Sequence, residues 1–158
     1  MESIKLMEFQ KEYEPELFSF LDKCLPESGR ALDLNGRHAY YREIPSHFLE
    51  FWCMFDNEKM IGAVGVRKLN AEHCELKSLY LLEKYHGRGY GRMLLETAIT
   101  YAENAGYQKM YLDSLLTSTK ALRLYRKAGF TETERYNDAV RSDVFMVRDL
   151  NNGKAAIS

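Results

Sequence analysis

The sequence predicts a single-domain α/β fold in which helices flank one mixed, mostly antiparallel sheet. Three observations lead to this prediction. The chain has 158 residues, the size of one domain that can bury a core without disulfides or a metal. Its composition, 46% hydrophobic and 28% charged, is ordinary for a globular protein. The hydrophobic pattern then changes period along the chain in the order βαβββαβαββ. We expect one domain over residues 1–150 and a flexible tail over 151–158.

The N-terminal part is predicted to form a strand, a helix and a long irregular stretch. Residues 1–9 alternate weakly between apolar and polar side chains, as in a strand. Residues 13–25 carry leucines and phenylalanines at helical spacing; Pro15 suits the first turn, and Pro26 is expected to end the helix. Residues 26–45 have no clear period, and an irregular stretch of this length is usually functional or mobile.

Three strands with short turns are predicted next, over residues 48–55, 60–69 and 74–82, and they form an antiparallel meander. A glycine-rich segment then leads into an amphipathic helix. That helix is expected to end at Gly106, because glycine is the usual residue just beyond a helix C-terminus.

A strand, a helix and a hairpin complete the predicted fold. Residues 109–112 form the strand, and the hydroxyl groups of residues 117–119 are expected to cap the helix that follows. Gly129 closes that helix, and residues 130–136 and 143–147 are predicted to pair as the hairpin.

The charges of the chain nearly cancel, since 22 Lys and Arg face 23 Asp and Glu. A nucleic-acid binder usually has a basic surplus, so we predict no nucleic-acid partner from the overall charge. Residues 84–127, however, carry eight bases and three acids. This local excess indicates either an anion site or solvated helix faces, and RNA binding through this segment is a weaker alternative.

The cysteines and apolar segments favour a cytoplasmic protein with no membrane partner. Cys24, Cys53 and Cys74 are widely spaced and lack a Cys-x-x-Cys pattern, which is typical of buried thiols in a reducing compartment. The apolar runs are too short to span a bilayer, and Glu2 and Glu8 stand where a secretion signal needs bases and apolar residues.

The segment of residues 84–92 carries the clearest chemical signal, because three alternating glycines lie there between a strand and a helix. Glycines let a backbone approach a ligand closely, and the N–H groups of a helix start favour phosphate. A tight turn without a ligand is the weaker interpretation, given the flanking bases Lys84, Arg88 and Arg92. A P-loop is excluded because Gly-Lys-Ser/Thr is missing. A dinucleotide site stays open only through Asp113, which lies where a ribose-binding acid is expected.

Two motifs resemble those of the GNAT superfamily of acyl-CoA-dependent N-acetyltransferases. Residues 86–91, HGRGYG, resemble its Arg/Gln-x-x-Gly-x-Gly/Ala signature, and the preceding residues 75–81 resemble the strand before it. Residues 121–130, ALRLYRKAGF, resemble its Ala-x-x-Leu-Tyr-x-Lys-x-Gly-Phe element. His86 departs from the usual Arg or Gln, and Ser118 stands where many members have Asn.

The resemblance implies a V-shaped split between the fourth and fifth strands that holds acetyl-CoA as co-substrate, without a metal. An acetyl group would pass directly to a primary amine of a small molecule or peptide in a ternary complex. A homodimer is left open. The cofactor-binding residues implied are Leu79, Tyr80, Leu81, His86, Gly87, Arg88, Gly89, Tyr90, Gly91, Arg92, Ser118, Tyr125 and Lys127.

The resemblance also implies catalytic residues. Tyr125 is the expected general acid toward the leaving thiolate, although a tyrosine at helical spacing is more commonly a core residue. Glu75 is the expected general base, acting through water, with a solvated carboxylate as the alternative and Glu72 in reserve. A non-catalytic acyl-CoA-binding or sensory module remains the rival function, because a fold does not fix an activity.

The irregular stretch of residues 27–45 lies where the resemblance places the acceptor-binding wall. Arg37 and Arg42, beside Tyr40, are suited to gripping a carboxylate or phosphate and stacking on an apolar group. We therefore expect small amines with an anionic group as acceptors. The alternative is a solvated loop whose arginines pair loosely with nearby acids.

Overall fold

The computed structural model describes residues 3–150, whose strands form one seven-stranded sheet flanked by helices. The strands are β1 (Ile4–Glu8), β2 (Glu50–Asp56), β3 (Lys59–Lys68), β4 (His73–Leu81), β5 (Lys109–Ser114), β6 (Thr131–Glu132) and β7 (Val144–Asp149). The α-helices are α1 (Glu14–Glu27), α2 (Ile44–His47), α3 (Tyr90–Asn104) and α4 (Thr119–Lys127). The strand order in the sheet is β1-β2-β3-β4-β5-β7-β6, which confirms the predicted α/β class.

The sheet splits between β4 and β5. The first four strands pair antiparallel, as the meander predicts. β4 and β5 are parallel and pair over only three residues each, ending with Glu75 opposite Tyr111. Beyond that pair the two strands continue to Leu81 and Ser114 without pairing to each other. The predicted V between the fourth and fifth strands is therefore confirmed.

A bulge in β4 lies inside this V. The β3–β4 register shifts between Ala63 and Gly65, and Ser78 on the facing strand has φ +62°. A left-handed backbone is strained for a residue other than glycine, so the surrounding structure must hold it. The hydroxyl groups of Ser78 and the fully buried Tyr41 lie 2.6 Å apart, which anchors the bulge.

Different segments cover the two faces of the sheet. A Cβ at Gly62 would meet Leu94 of α3, whereas one at Gly65 would meet Phe48 and Phe51. Gly62 and Gly65 lie on opposite faces of β3, because side chains alternate along a strand. The segment before β2 thus packs on the face away from α3.

Some predicted boundaries were wrong. Pro26 lies inside the last turn of α1 instead of ending it, since only Glu27 follows it in the helix. The stretch predicted as irregular contains a 3₁₀ turn over Ala39–Glu43 and the first two residues of α2. Ser118 is the N-cap of α4, but its side chain makes no capping hydrogen bond.

The closing hairpin is much shorter than predicted, because β6 has only two residues and a loop follows it. Residues 133–143 form that loop, here called the β6–β7 loop. Arg135 organises it by donating to the carbonyl oxygens of Ala139 at 2.9 Å and Ser142 at 3.3 Å. The Arg135 guanidinium also stacks 4.5 Å from the ring centroid of Phe145. These contacts hold the segment as a loop where a strand was predicted.

The three cysteines are buried, as predicted, and none forms a disulfide. Burial raises the pKa of each thiol to about 12. Within residues 3–150, no helix has the length and apolar character needed to cross a membrane. The predicted tail of residues 151–158, and the first two residues of the predicted N-terminal strand, lie outside the described residues.

Candidate active site

The segment of residues 84–92, here called the glycine loop, lies between the end of β4 and the first turn of α3. Gly87 and Gly89 have φ +79° and +86°, which is the left-handed conformation that glycine adopts without strain. Nothing lies within 4 Å of the point where either residue would carry a Cβ, so the space beside the loop is open. Gly91 differs, because a Cβ there would contact Leu124 of α4 at 3.6 Å. Two glycines therefore shape the loop and the third allows the two helices to approach.

The loop ends at the N-terminus of α3, where Gly89 is the N-cap. The first N–H groups of a helix have no partner within it and carry partial positive charge. The side chains of Lys84 and Arg88 lie over the ring of Tyr85, 5.7 Å and 5.5 Å from its centroid. Arg92 instead pairs with Glu96 on the exposed side of the helix, at 2.8 Å. The loop thus combines backbone donors with two nearby cations.

His86 has a role that the sequence did not indicate. Its Nε2 lies 2.9 Å from the carbonyl oxygen of Leu81, so the ring donates to the end of β4. This hydrogen bond fixes the start of the glycine loop against the strand. The histidine side chain contributes to loop geometry even though its position departs from the usual Arg or Gln.

Glu75 lies where the two arms of the V meet, and only 5% of its surface is exposed. The Tyr136 hydroxyl donates to its Oε2 at 2.6 Å, and Asn137 Nδ2 donates to the same oxygen at 3.1 Å. Glu75 is therefore a buried, oriented carboxylate and not a solvated one. Glu72 is exposed in the turn before β4 and accepts a hydrogen bond from Gln108 at 3.1 Å.

The same loop binds the second acid of the V. Asn137 Nδ2 donates to Asp113 Oδ2 at 2.7 Å, and Ser142 Oγ donates to Asp113 Oδ1 at 2.5 Å. Both oxygens of Asp113 are thus engaged by the protein, which removes the ribose-binding role that a dinucleotide site would need. Tyr136, Asn137 and Ser142 were missed in the sequence, because a polar loop between strands carries no signal of what it contacts.

Tyr136 remains protonated because burial raises its pKa, and the neighbouring charge of Glu75 raises it further. A protonated hydroxyl can donate steadily to the carboxylate. The Tyr136 ring also packs on Tyr111 of β5, with ring centroids 4.9 Å apart. Hydrogen bonding and packing together hold the Glu75 side chain in one orientation.

Tyr125 lies on α4 with 7% of its surface exposed. Burial is the main reason that its pKa is raised, and Tyr80 on β4 and Asp113 on β5 add to the shift, while Arg30 opposes it. The two residues that add to the shift lie on opposite arms of the V. Among residues 3–150, the Tyr125 hydroxyl has no hydrogen-bond partner. A buried hydroxyl without a partner is costly, and a ligand in the V could satisfy it.

The remaining predicted cofactor residues fall in two places. Leu79, Tyr80 and Leu81 are half-buried along β4 beyond its pairing with β5. Ser118 is half-buried at the start of α4, and Lys127 is exposed in its last turn. The V therefore brings the β4 residues, the glycine loop and Tyr125 into one region.

The two arginines predicted to bind the acceptor, Arg37 and Arg42, have different surroundings in the loop before β2. Arg42 donates to the Leu34 carbonyl at 3.1 Å and to Asn35 Oδ1 at 3.3 Å, so it helps to hold the loop together. Arg37 is exposed. Tyr40 is half-buried against the sheet. In the described part of the chain, no three His, Cys, Asp or Glu side chains are grouped so that they could hold a metal ion.

A split sheet with a glycine loop at the start of a helix defines the class of fold, and comparison with known proteins defines the family. A model of the acetyltransferase (GNAT) family matches residues 7–130. The chain belongs to this family, which confirms the resemblance of its two motifs. The chain is 34% identical over 93 residues to an uncharacterised N-acetyltransferase of Schizosaccharomyces pombe; the match covers 58% of this chain and 57% of that protein.

Solved structures share the fold. A GNAT-family acetyltransferase from Staphylococcus aureus has a TM-score of 0.84 at 21% identity, covering 94% of this chain and 99% of that one. The PaiA N-acetyltransferase of Thermoplasma acidophilum, solved in complex with coenzyme A, has a TM-score of 0.72 at 20% identity, covering 93% and 99%.

Proposed function

We propose that this protein transfers the acetyl group of acetyl-CoA to a primary amine of a small molecule or peptide, by direct attack in a ternary complex. The observation that carries the proposal is that two buried polar side chains, Glu75 and Tyr125, lie at the V. The oriented Glu75 carboxylate lies where its arms meet, and the Tyr125 hydroxyl has electrostatic neighbours on both arms. A protein that merely binds acyl-CoA has no need of either group.

The residues of the V and the glycine loop fit coenzyme A. The open space beside Gly87 and Gly89, next to the N-terminus of α3, suits the pyrophosphate. The part of β4 that β5 leaves unpaired offers backbone groups to an extended pantetheine chain, as a strand edge does to a peptide. Acetyl-CoA supplies the reactive thioester there.

Glu75 is the proposed general base. The acceptor amine must lose a proton before its nitrogen can attack, and Glu75 takes that proton directly or through a water molecule. Tyr136 and Asn137 occupy Oε2, while Oε1 has no protein donor among residues 3–150. Oε1 is thus the oxygen available to the amine.

Tyr125 is the proposed general acid. As the new C–N bond forms and the C–S bond breaks, the departing thiolate takes the phenolic proton, which solvent then replaces. Because its pKa is raised by burial, the hydroxyl carries its proton throughout the neutral pH range. The buried free thiols are compatible with action in the cytoplasm.

Coenzyme A should raise the melting temperature, and NADH and ATP should raise it much less. A ligand that binds only the folded state stabilises it by about 2.7 kcal/mol at 100 times its Kd. In a chain of this size, each kcal/mol moves Tm by about 2–4 °C. Differential scanning fluorimetry with the three ligands at equal concentrations measures this. A shift with NADH and none with coenzyme A would refute the cofactor assignment.

A further inference from the structure

Two cations lie beside Glu75 on the same face of the sheet. Arg67 of β3 is directly opposite Glu75 in the β3–β4 ladder, and opposite residues of an antiparallel pair project on one side. Lys77 lies two residues beyond Glu75, before the bulge at Ser78, so strand alternation places it on that side too. The loop residue Tyr40 covers this part of the sheet.

Both cations contact Tyr40. Arg67 Cζ lies 5.9 Å from the centroid of its ring and Lys77 Nζ lies 5.6 Å away. Both side chains are half-buried, and within residues 3–150 neither has an acidic group within 4.0 Å. Partly desolvated cations that form no ion pair are suited to binding an anion.

Other positive charges lie near the ring of Tyr40. Burial is the main cause that lowers the pKa of His38; Arg37, Lys77 and Arg30 lower it further, and Asp33 opposes them. These cations act on His38, whose ring lies 6.3 Å from that of Tyr40. Asp33 is the negative charge next to His38, whereas Glu75 and Asp113 lie in the V, both bound by Asn137.

We propose that Arg67 and Lys77 bind the carboxylate of the acceptor, which is accordingly a small amino acid with its carboxylate close to the reacting amine. The inference rests on the proposed acetyl transfer and assigns its acceptor class. Facing positions of an antiparallel pair have Cβ atoms about 4.5–5.5 Å apart. Glu75 and Arg67 are thus close enough to hold the ammonium and the carboxylate of one small zwitterion.

This subsite is built on strands, in contrast to the loop arginines. Arg42 already donates to the backbone and side chain of its own loop. Arg67 and Lys77 are positioned by the ladder between β3 and β4 and by the ring of Tyr40. A fixed pair of cations next to a fixed base can select both ends of the acceptor.

The test compares the proteinogenic α-amino acids with their α-carboxamides and with spermidine, using acetyl-CoA and mass detection of the acetylated product. We expect kcat/KM to favour the acids over their amides by about 10–100-fold, the worth of charged hydrogen bonds. Replacing both cations, Arg67→Met with Lys77→Met, should remove this preference, because kcat/KM should fall far more for the acids than for the amides. Lys68→Met, on the same strand but the opposite face, is the matched control and should keep the preference.

The coenzyme A-induced Tm shift of each variant verifies that its fold and cofactor site are intact. If amides or spermidine react as well as the acids, or if the double variant keeps the preference, the subsite is wrong while acetyl transfer stands. If none of these amines is acetylated, the subsite is wrong, and the proposed acetyl transfer fails as well only if aminosugars and short peptides also give no acetylated product.

Discussion

Tyr125→Phe should lower the turnover number by about 10²–10⁴-fold, the usual contribution of a general acid. The substitution removes only the hydroxyl, so the packing of the ring against Phe130, at 6.0 Å between centroids, is kept. Because the hydroxyl has no protein partner within residues 3–150, its loss leaves no other group unsatisfied. The affinity for coenzyme A should therefore change little. Steady-state kinetics and a coenzyme A titration separate the two quantities.

Tyr101→Phe is the matched control. Tyr101 also lies on a helix and is half-buried, but its ring packs against Trp52, at 5.4 Å between centroids, on the α3 face of the sheet. Its substitution should leave turnover unchanged. If Tyr125→Phe also leaves turnover unchanged while chemistry limits the rate, Tyr125 is a core residue and the general acid must be sought elsewhere.

Gly89→Val should abolish the coenzyme A-induced rise in Tm. A β-branched side chain at φ +86° strains the backbone and projects into the open space in front of the α3 N-terminus, where the pyrophosphate is proposed to bind. The left-handed conformation alone costs a residue with a Cβ about 1–2 kcal/mol. The variant should therefore melt at a lower temperature, and coenzyme A should not raise its Tm.

Gly106→Val separates these two effects. Gly106 has φ +89° and open space at its Cβ position, but it follows the opposite end of α3. The two variants should lose similar stability, and only Gly89→Val should lose the response to coenzyme A. Two variants that both respond, or that both fail to respond, would contradict a phosphate site at the glycine loop.

The parts of the site that depend on local sequence could be predicted. Alternating glycines before an amphipathic pattern indicate a loop and a helix start, because backbone freedom and helical period are properties of neighbouring residues. Gly87 and Gly89 accordingly lie in a loop that leads into α3. The order of the elements could be predicted from the hydrophobic periods, and the V could be predicted from the family resemblance.

The parts that depend on distant contacts could not be predicted. Tyr136 reaches Glu75 across 61 residues of sequence, and a tyrosine in a polar segment is equally compatible with a strand. The bulge at Ser78 depends on its contact with Tyr41, 37 residues away. Arg67 lies in a segment that the sequence predicts as a strand, and only the strand register places it opposite Glu75.

The most direct test of the central claim is a mass-resolved transfer assay. The wild-type protein is incubated with acetyl-CoA and a panel of amino acids, polyamines, aminosugars and short peptides, and free thiol and acetylated amine are measured together. Acetyl transfer predicts at least one amine whose acetylated product appears in equal amount to the thiol released above background hydrolysis. Saturable binding of coenzyme A, with no acetylated product from any amine, would contradict the account and identify the protein as an acyl-CoA-binding module.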